Sequence, residues 1–465
     1  MTEEQKDPSV HDKFTAKFSD ERFQLTDEKS ALALDVLRKR LNQQLEASLE
    51  VCVRCGVCAE SCHYYVADPK PEHVPAYRSE QLRKIYREMS DPVAKVAPGW
   101  IGAAPLDQEM LEKLMYSAFG TCTMCGRCVL NCPMGVDTRQ IIRTARAMLT
   151  AIDMTPEGLK ATVNVHLQDG NNMGVSGEDF IETLQWMEEE LQAEVGDPTA
   201  KIPIDKKRAR VVYTFNPREV KYFPYLIQAA AKIFNAAGED WTLSSESWDA
   251  TNYGLFSGDD QASSTIAKNL EQAVNHLGAD LLVMAECGHG FRSQRWEGEN
   301  WVGHRYPFQI KSFVEVMAEY IHDGRIQLDP SVNTKRVTYH DPCNQVRNGG
   351  IIEEPRYILR HSVMDFVEME PHGIENYCCG GGGGMLSMTE FAKERIAAGK
   401  AKADQIQATG AEIVATSCHN CLDQLDEVRR HYKLKVKIQN LSELVAAAVV
   451  WPRPPADAEA GDAAD

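Results

Sequence analysis

The chain has 465 residues, of which 43% are apolar and 25% are charged, so it is long enough for roughly two to four globular domains with sizeable cores. Its formal net charge of −18 argues against nucleic acid as a partner, because phosphate binding requires a basic surface. The acidity fits ordinary solubility or docking to a basic redox partner. The N-terminus lacks the segments of a signal peptide and no apolar run approaches the roughly 20 residues of a membrane helix, so we expect a cytoplasmic chain that does not itself span a membrane.

Residues 1–45 are predicted to form an extended polar arm of about 25 residues followed by one helix. The helix is predicted from a leucine stripe with i, i+3, i+4 spacing, which we expect to pack in a core, and Thr26 or Asp27 is its predicted N-cap. The stripe consists of Leu34, Leu37, Leu41, Leu45 and Leu49.

Two cysteine groups in residues 46–150 share the spacing C-x2-C-x2-C-x3-C, and the second is followed by Pro133. This spacing is typical of ferredoxins with two [4Fe–4S] clusters, in which the fourth cysteine of each group ligates the other cluster. Zinc is the alternative for one such group, but two copies with the proline favour iron–sulfur. His63, where the motif usually has proline, is a plain substitution or a group that tunes the cluster. The predicted ligands are Cys52, Cys55, Cys58 and Cys132 for cluster 1, and Cys122, Cys125, Cys128 and Cys62 for cluster 2.

From about residue 208 onward, strands and helices alternate, which predicts largely parallel sheets. This part repeats itself at an offset of roughly 126–132 residues, since residues 210–213 resemble residues 336–339 and residues 278–283 resemble residues 410–415. The segments 278–283 and 410–415 lead to Cys287 and Cys418 respectively. We therefore predict an α+β fold in which a helical ferredoxin-type domain precedes two pseudo-repeated α/β lobes. The predicted segments are the arm and helix 1–45, the ferredoxin-like domain 46–150, a helical linker 151–207, a degenerate lobe 208–330, a complete lobe 331–450 and an acidic disordered tail 451–465.

The complete lobe contains five cysteines in the order C…CC…CxxC, with the adjacent pair followed by the glycines 380–384. Side chains of adjacent cysteines diverge, so the pair suits a larger cluster that is reached from several sides, and glycines leave room beside it. The degenerate lobe has residues 215–217 and 248–252 where the first cysteine and the pair would lie, and it keeps only Cys287.

The C…CC-Gly…CxxC order resembles the cysteine-rich CCG domain of heterodisulfide reductase catalytic subunits, which also occurs in iron–sulfur subunits of glycolate oxidase, lactate utilisation and anaerobic glycerol-3-phosphate dehydrogenase. Ferredoxin groups before CCG lobes resemble the fused heterodisulfide reductase D type, over roughly residues 45–450. A chain with one complete and one degenerate lobe resembles the K subunit of the dissimilatory sulfite-reduction (Dsr) membrane complex. It is also similar to subunits of the high-molecular-weight and type II cytochrome complexes of sulfate reducers.

The resemblance implies a third, noncubane [4Fe–4S] cluster in the complete lobe, at which a disulfide is cleaved. The implied ligands are Cys343, Cys378, Cys379, Cys418 and Cys421. Cys287 would face this cluster as an extra ligand or a substrate-handling thiol, or it is a buried structural cysteine. His289, His340 and His419 are candidate proton donors to a departing thiolate, or structural histidines that form hydrogen bonds.

Three functions are open at this point. In the first, an integral-membrane quinone or cytochrome subunit, with other subunits of a respiratory complex, holds the chain at the inner face of the membrane and supplies electrons, as in sulfate respiration. A cytoplasmic disulfide or trisulfide, or a small redox protein that carries one, is then reduced. In the second, the chain is a conduit without catalysis. In the third, it serves a flavin-linked hydroxy-acid or glycerol-3-phosphate dehydrogenase, for which the missing second CCG motif would be expected. We find no G-x-G-x-x-G after a strand and no P-loop.

Overall fold

The computed structural model describes residues 8–452. The start of the predicted arm, residues 1–7, and most of the predicted acidic tail, residues 453–465, lie outside the described residues. Within residues 8–452, no helix combines the length and the apolar character that crossing a bilayer would require. The chain has an α+β fold, with a helical part followed by two parallel sheets.

The helical part surrounds the two ferredoxin-type cysteine groups. Its α-helices are α1 (Val10–Lys17), α2 (Asp27–Arg40), α3 (Gln43–Glu50), α4 (His63–Ala67), α5 (Pro75–Ser90), α6 (Pro98–Ile101), α7 (Gln108–Met115), α8 (Arg127–Leu130), α9 (Thr138–Ala151), α10 (Glu157–Asp169) and α11 (Gly177–Val195). Helix α9 packs against α2, α3, α5 and α7, so it forms the centre of this part.

The prediction of an extended arm before residue 26 is wrong for the described residues. Helix α1 begins with a capping box formed by Ser9 and Asp12, and it places Phe14 against Phe18 and Phe23. All three rings are buried, and Phe18 also contacts Phe391 of the second lobe. The composition is polar overall, but three spaced aromatic side chains suffice to fold the segment onto the core.

The leucine stripe lies on two helices, not on the single helix predicted. Thr26 is the N-cap of α2, as expected, and accepts a hydrogen bond from the Lys29 N–H. This helix ends at Arg40, and Asn42 caps α3 by accepting from the Leu45 N–H. A strong N-cap residue inside a helical pattern starts a new helix, because its side chain competes with the backbone for the free N–H groups.

The two sheets have the same topology. Strands β1 (Val211–Thr214), β2 (Trp241–Leu243), β3 (Leu281–Met284) and β4 (Gln309–Ser312) form a parallel sheet in the order β2-β1-β3-β4. A short strand β5 (Gln327–Leu328) leads to β6 (Arg336–Tyr339), β7 (Asp365–Val367), β8 (Ile413–Thr416) and β9 (Lys437–Asn440), which form a parallel sheet in the order β7-β6-β8-β9. Strand β10 (Val449–Val450) pairs antiparallel with β5. The repeat seen in the sequence is therefore a repeat of the fold.

Helices cover both sheets. They are α12 (Pro217–Tyr222), α13 (Pro224–Ala236), α14 (Gly254–Ser257), α15 (Asp260–Leu277), α16 (Gly288–Arg292), α17 (Gly298–Val302), α18 (Phe313–His322), α19 (Glu354–Ser362), α20 (Ala392–Ala398), α21 (Lys400–Thr409), α22 (His419–His431) and α23 (Leu441–Ala448). One apolar core runs through both lobes and includes α11, while a second core joins the helical part to α14 and to residues 385–391. The cysteine groups thus lie where the three parts meet.

Candidate iron–sulfur centres

The first cavity lies between the two ferredoxin-type loops. Its walls are mostly apolar, with Val53, Ala76 and Met134 among the lining residues. Of the fourteen cysteines, all within the described part of the chain, Cys55 alone is exposed, and it lies in this cavity. The cysteines that line it are Cys52, Cys55, Cys58, Cys128 and Cys132.

The second cavity lies between residues 61–63 and the second ferredoxin-type loop. The cysteines that line it are Cys62, Cys122, Cys125 and Cys128, together with His63 and Arg78. Each cavity thus includes three cysteines of one group and the fourth cysteine of the other, as in two-cluster ferredoxins, and the first cavity includes Cys128 in addition. Because Cys128 lines both cavities, the assignment of individual ligands stays a prediction. Thiols in closed sets of four are the donors that a [4Fe–4S] cluster requires, so these residues fit the two cofactors.

The two loops have the same backbone geometry. Arg54 and Met124 precede the second cysteine of their groups with φ values of 55° and 53°, and Gly56 and Gly126 follow it with φ values of 82°. A left-handed residue on each side of a cysteine turns the chain around the cavity, and glycine adopts this conformation without strain.

The CCG cysteines lie at the carboxyl ends of adjacent strands of the second sheet. Cys343 follows β6, and Cys418 and Cys421 follow β8 at the start of α22. The thiols of Cys379 and Cys421 are 3.5 Å apart. A possible ligand atom of the His340 ring lies within 4.8 Å of both, and neither ring nitrogen of this buried histidine has a hydrogen-bond partner. Ligands commonly bind outside the carboxyl ends of parallel strands, so the site occupies a favourable position in the fold.

The glycine run fits tightly against its surroundings. Backbone N–H groups of Gly380 and Gly381 donate to the thiols of Cys378 and Cys379 at 3.4 Å. A Cβ on Gly383 would lie 2.7 Å from the carbonyl oxygen of Thr123. The run therefore serves hydrogen bonding to sulfur and close packing against the ferredoxin loop, in addition to leaving room for a cluster.

Contacts between thiols shift the pKa values of the CCG cysteines. Contact with Cys125 and Cys343 lowers the pKa of Cys378 to about 6, and contact with Cys421 lowers the pKa of Cys418 to about 7. Contact with Cys378 also lowers the pKa of Cys379 well below its usual value. The same contacts raise the pKa values of Cys343 and Cys421 well above their usual range. Metal and cluster ligation requires thiolates, and three of the five buried thiols lose their protons more readily than usual, which fits a third iron–sulfur cluster.

The second cavity and the CCG group are in direct contact. The thiols of Cys125 and Cys378 lie within hydrogen-bonding reach of each other. The Thr123 hydroxyl donates to the Cys378 thiol at 3.5 Å, and Arg347 donates to the Cys125 carbonyl at 3.1 Å. These side chains join a ferredoxin loop to the CCG lobe at the place where a cluster would sit on either side.

Cys287 of the degenerate lobe is buried at the carboxyl end of β3. Its thiol accepts from the Asn216 amide at 3.6 Å and lies 3.4 Å from Nδ1 of His289. Burial, together with the nearby Cys418 thiol, raises the pKa of Cys287. The missing cysteines are replaced by structural residues, because Phe215 lies in the core and Asp249 accepts from the Asn172 and Thr251 N–H groups.

The three candidate histidines are buried. Burial lowers the pKa of His289 and of His419 to about 3, and it lowers that of His340 well below its usual value. We therefore expect all three histidine rings to be neutral at neutral pH. A charged imidazolium is then excluded as the proton donor, but the N–H group of each neutral ring can still donate a hydrogen bond. Their role as proton donors stays a prediction.

Sequence reasoning missed several charged groups near the cysteines. Burial raises the pKa of Glu219 and of Glu286 to about 8, and Glu219 lies 3.4 Å from the His419 ring. The sequence pattern around Glu219 indicates only that it is the third residue of a helix with Asn216 as its N-cap. Arg78 and Lys402, both buried, lie in helices that the cysteine motifs do not cover.

Comparisons with known proteins agree with this architecture. Residues 48–136 match the 4Fe-4S dicluster domain and residues 337–426 match the cysteine-rich domain, CCG. These matches include the eight ferredoxin-type cysteines and the five CCG cysteines respectively.

Relatives are similar over most of the chain. The Hdr-like menaquinol oxidoreductase iron-sulfur subunit 2 of Archaeoglobus fulgidus is 29% identical over 460 residues, which cover 90% of this chain and 82% of the relative. The D subunit of the dihydromethanophenazine:CoB--CoM heterodisulfide reductase of Methanosarcina mazei is 28% identical over 408 residues, which cover 86% of this chain and 94% of the relative. The predicted resemblance to iron–sulfur subunits of the heterodisulfide reductase D type is confirmed: this chain is similar to them over most of its length and contains a 4Fe-4S dicluster domain followed by a CCG domain.

Proposed function

We propose that this chain is the electron-transfer subunit of a membrane-bound respiratory redox complex. Two [4Fe–4S] clusters would receive electrons, and a third, noncubane cluster in the CCG lobe would reduce a disulfide or trisulfide acceptor. The observation that carries this proposal is the contact between the ferredoxin loop and the CCG cysteines, in which Cys125 packs against the hydrophobic side-chain cluster that contains Cys378 and the Thr123 hydroxyl donates to the Cys378 thiol. When bound, such clusters supply one-electron transfer, and the protein sets their spacing, charge and access to water.

The first cavity is the proposed place at which electrons enter. Cys55 is exposed there, and the cavity is lined by the apolar side chains of Val53 and Met134, which are 63% and 45% exposed. Val57, in the same loop as Cys55, is 50% exposed. Arg54, the charged residue that lines this cavity, is paired with Glu80 at 2.7 Å. Exposed apolar patches mark interaction sites, so the donor is expected to dock through an apolar face despite the acidity of the whole chain.

The order of the cysteines in space supports transfer from the surface to the CCG lobe. Cys55 lies at the surface, Cys128 lines both ferredoxin cavities, and Cys125 contacts Cys378. The assigned ligands are those predicted, with Cys343, Cys378, Cys379, Cys418 and Cys421 at the third site. The proposed reaction adds two electrons and two protons to a disulfide, which breaks the S–S bond and yields two thiols.

Cys287 is proposed to face the third cluster from the degenerate lobe, as an extra ligand or as a thiol that handles substrate. Its position is compatible with both, since its thiol lies near Cys418 and the His289 ring. His289, His340 and His419 are proposed to hold protons or hydrogen bonds at the site through neutral rings, in keeping with their lowered pKa values.

The partners are proposed from the relatives. The Archaeoglobus relative is named as part of a menaquinol oxidoreductase, and the Methanosarcina relative as part of a dihydromethanophenazine-linked heterodisulfide reductase. We expect an integral-membrane quinone or cytochrome subunit as the donor for this chain, which would lie at the cytoplasmic face of the membrane. The acceptor would be a cytoplasmic disulfide or a small redox protein.

A conduit without catalysis is the second candidate, and the burial of the CCG thiols favours it. The five cysteines are between 1% and 7% exposed, so a substrate would reach them only if the contact between the lobes opened. A role beside a flavin-linked dehydrogenase has less support, because the first lobe has Phe215 and Asp249 where a second CCG motif would have cysteines.

Thiol production by single-cysteine variants separates these functions. The full chain is purified anaerobically, reduced, and mixed with glutathione disulfide or with the CoB–CoM heterodisulfide. We expect Cys378→Ala to abolish thiol production while both ferredoxin-type clusters still become reduced. Cys287→Ala serves as the matched variant in the degenerate lobe, and it should keep the iron content. Unchanged thiol production in Cys378→Ala would contradict disulfide cleavage at the CCG cysteines.

A further inference from the structure

Helix α5 separates the two ferredoxin-type cavities. Ala76 and Ser79 of this helix line the first cavity, whereas Arg78 lines the second. The helix belongs to the insert between the cysteine groups, and neighbouring positions on a helix point in different directions. Arg78 is therefore the residue through which α5 brings a charge to the wall of the second cavity.

Arg78 is held against a ligand of the second site. The side chain is 2% exposed, and Nη2 donates to the thiol of Cys62 at 2.8 Å. The same nitrogen donates to the His73 carbonyl, and the guanidinium lies 5.9 Å from the centre of the Tyr64 ring. These contacts fix the guanidinium, so its direction toward sulfur does not depend on side-chain motion.

The charge of Arg78 faces sulfur and not carboxylate. Its electrostatic neighbours include the thiols of Cys62, Cys122 and Cys128 and the Cys58 thiol of the first site, but its hydrogen bond to sulfur is to Cys62. Within residues 8–452 it forms no ion pair with an Asp or Glu. A buried cation without a counter-charge is costly, so the position makes physical sense when the thiols carry the negative charge of a bound cluster.

Other cations near the two cavities act differently. In the second cavity Arg139 is paired with Asp137 at 2.9 Å. Arg146 donates to the Cys122 carbonyl at 2.9 Å, and its other hydrogen bonds are also to backbone oxygens. In the first cavity the cation is Arg54, which is 59% exposed and paired with Glu80. Solvent and the carboxylate screen Arg54, whereas Arg78 acts on sulfur at short range in a buried site.

Reduction adds one negative charge to a cluster, and a cation that donates to a ligand sulfur stabilises the reduced form more than the oxidised form. We propose that Arg78 raises the reduction potential of the second cluster above that of the first, and thereby makes transfer from the exposed site toward the CCG lobe favourable. The direction of flow rests on the proposed function, but the difference in potential does not.

An EPR-monitored redox titration of the anaerobically purified full chain tests this proposal. The variants are Arg78→Gln, Arg78→Lys and the matched control Arg54→Gln, and Cys55→Ser assigns the signal of the first cluster. In Arg78→Gln the potential of the second cluster is expected to fall by at least about 59 mV, which is a tenfold change in a one-electron equilibrium. Arg78→Lys keeps the charge and loses the planar fork, so the same signal should fall by less.

Arg54→Gln should leave the potential of the second cluster unchanged. If the Arg78→Gln variant loses the second cluster, Arg78→Lys still tests the proposal, because it must lower the reduction potential of the second cluster. The proposal is overturned if the second potential is unchanged in the variants, if both potentials fall equally, or if the wild-type second cluster has the lower potential. The titration uses no acceptor, so a chain that fails to produce thiols can still support the role of Arg78.

Discussion

Alanine at Gly383 should separate the ferredoxin loop from the CCG lobe. The residue has a φ of +66°, and a Cβ would lie 2.7 Å from the Thr123 carbonyl oxygen and 2.9 Å from its Cα. The backbone of the glycine also accepts a hydrogen bond from Arg146 at 2.6 Å, so neither loop is free to move aside. A left-handed alanine costs about 1–2 kcal/mol, and overpacking against backbone adds about 1–3 kcal/mol.

Gly350→Ala is the matched control. Gly350 has a φ of +87° and no atom within 4 Å of an added Cβ, so alanine there meets the backbone strain without the overpacking. The anaerobic denaturant midpoint, followed by far-UV circular dichroism, should fall further in Gly383→Ala than in Gly350→Ala. Electron transfer from the ferredoxin-type clusters to the CCG lobe, followed by rapid-freeze EPR, should slow in Gly383→Ala alone. Equal midpoints and equal transfer rates would refute the close packing of Thr123 on Gly383.

Two further predictions concern the surface and a buried carboxyl group. Val57→Lys should slow reduction of the chain by donor-containing membranes at least severalfold and leave its reduction by dithionite unchanged. Val332→Lys, the control at another exposed valine, should alter neither rate. Equal rates in both variants would contradict docking at the first cavity. Burial raises the pKa of Glu219 from 4.5 to about 8, so the folded state keeps a proton that the unfolded chain loses and stability should fall as pH rises from about 4.5 to 8. Glu219→Gln should flatten this fall in unfolding midpoints measured between pH 5 and 8, and an unchanged slope would show that Glu219 does not titrate as described.

Much of the fold follows from local sequence signals. The spacing of the cysteine groups predicts two loops of the same shape, and Arg54 and Met124 have nearly the same backbone angles. The repeat between residues 278–283 and 410–415 predicts two related sheets, because strand sequences and the glycine that precedes them are local features.

Other features depend on contacts that no local pattern records. Asn42 reads as one polar position in a leucine stripe, yet it separates two helices and caps the second. Cys125 and Cys378 are far apart in the chain and meet only because the helical part packs against both lobes. Arg78 lies in an ordinary amphipathic helix, and its function depends on which side of that helix faces Cys62.

Iron analysis combined with EPR on the anaerobically purified, oxidised full chain tests the central claim most directly. Three four-iron clusters predict about 12 iron atoms per chain. We expect a paramagnetic oxidised-state signal that shifts when a disulfide is added and that is absent in Cys378→Ala. About 8 iron atoms, with no signal beyond two reducible clusters, would contradict a substrate-binding cluster in the CCG lobe.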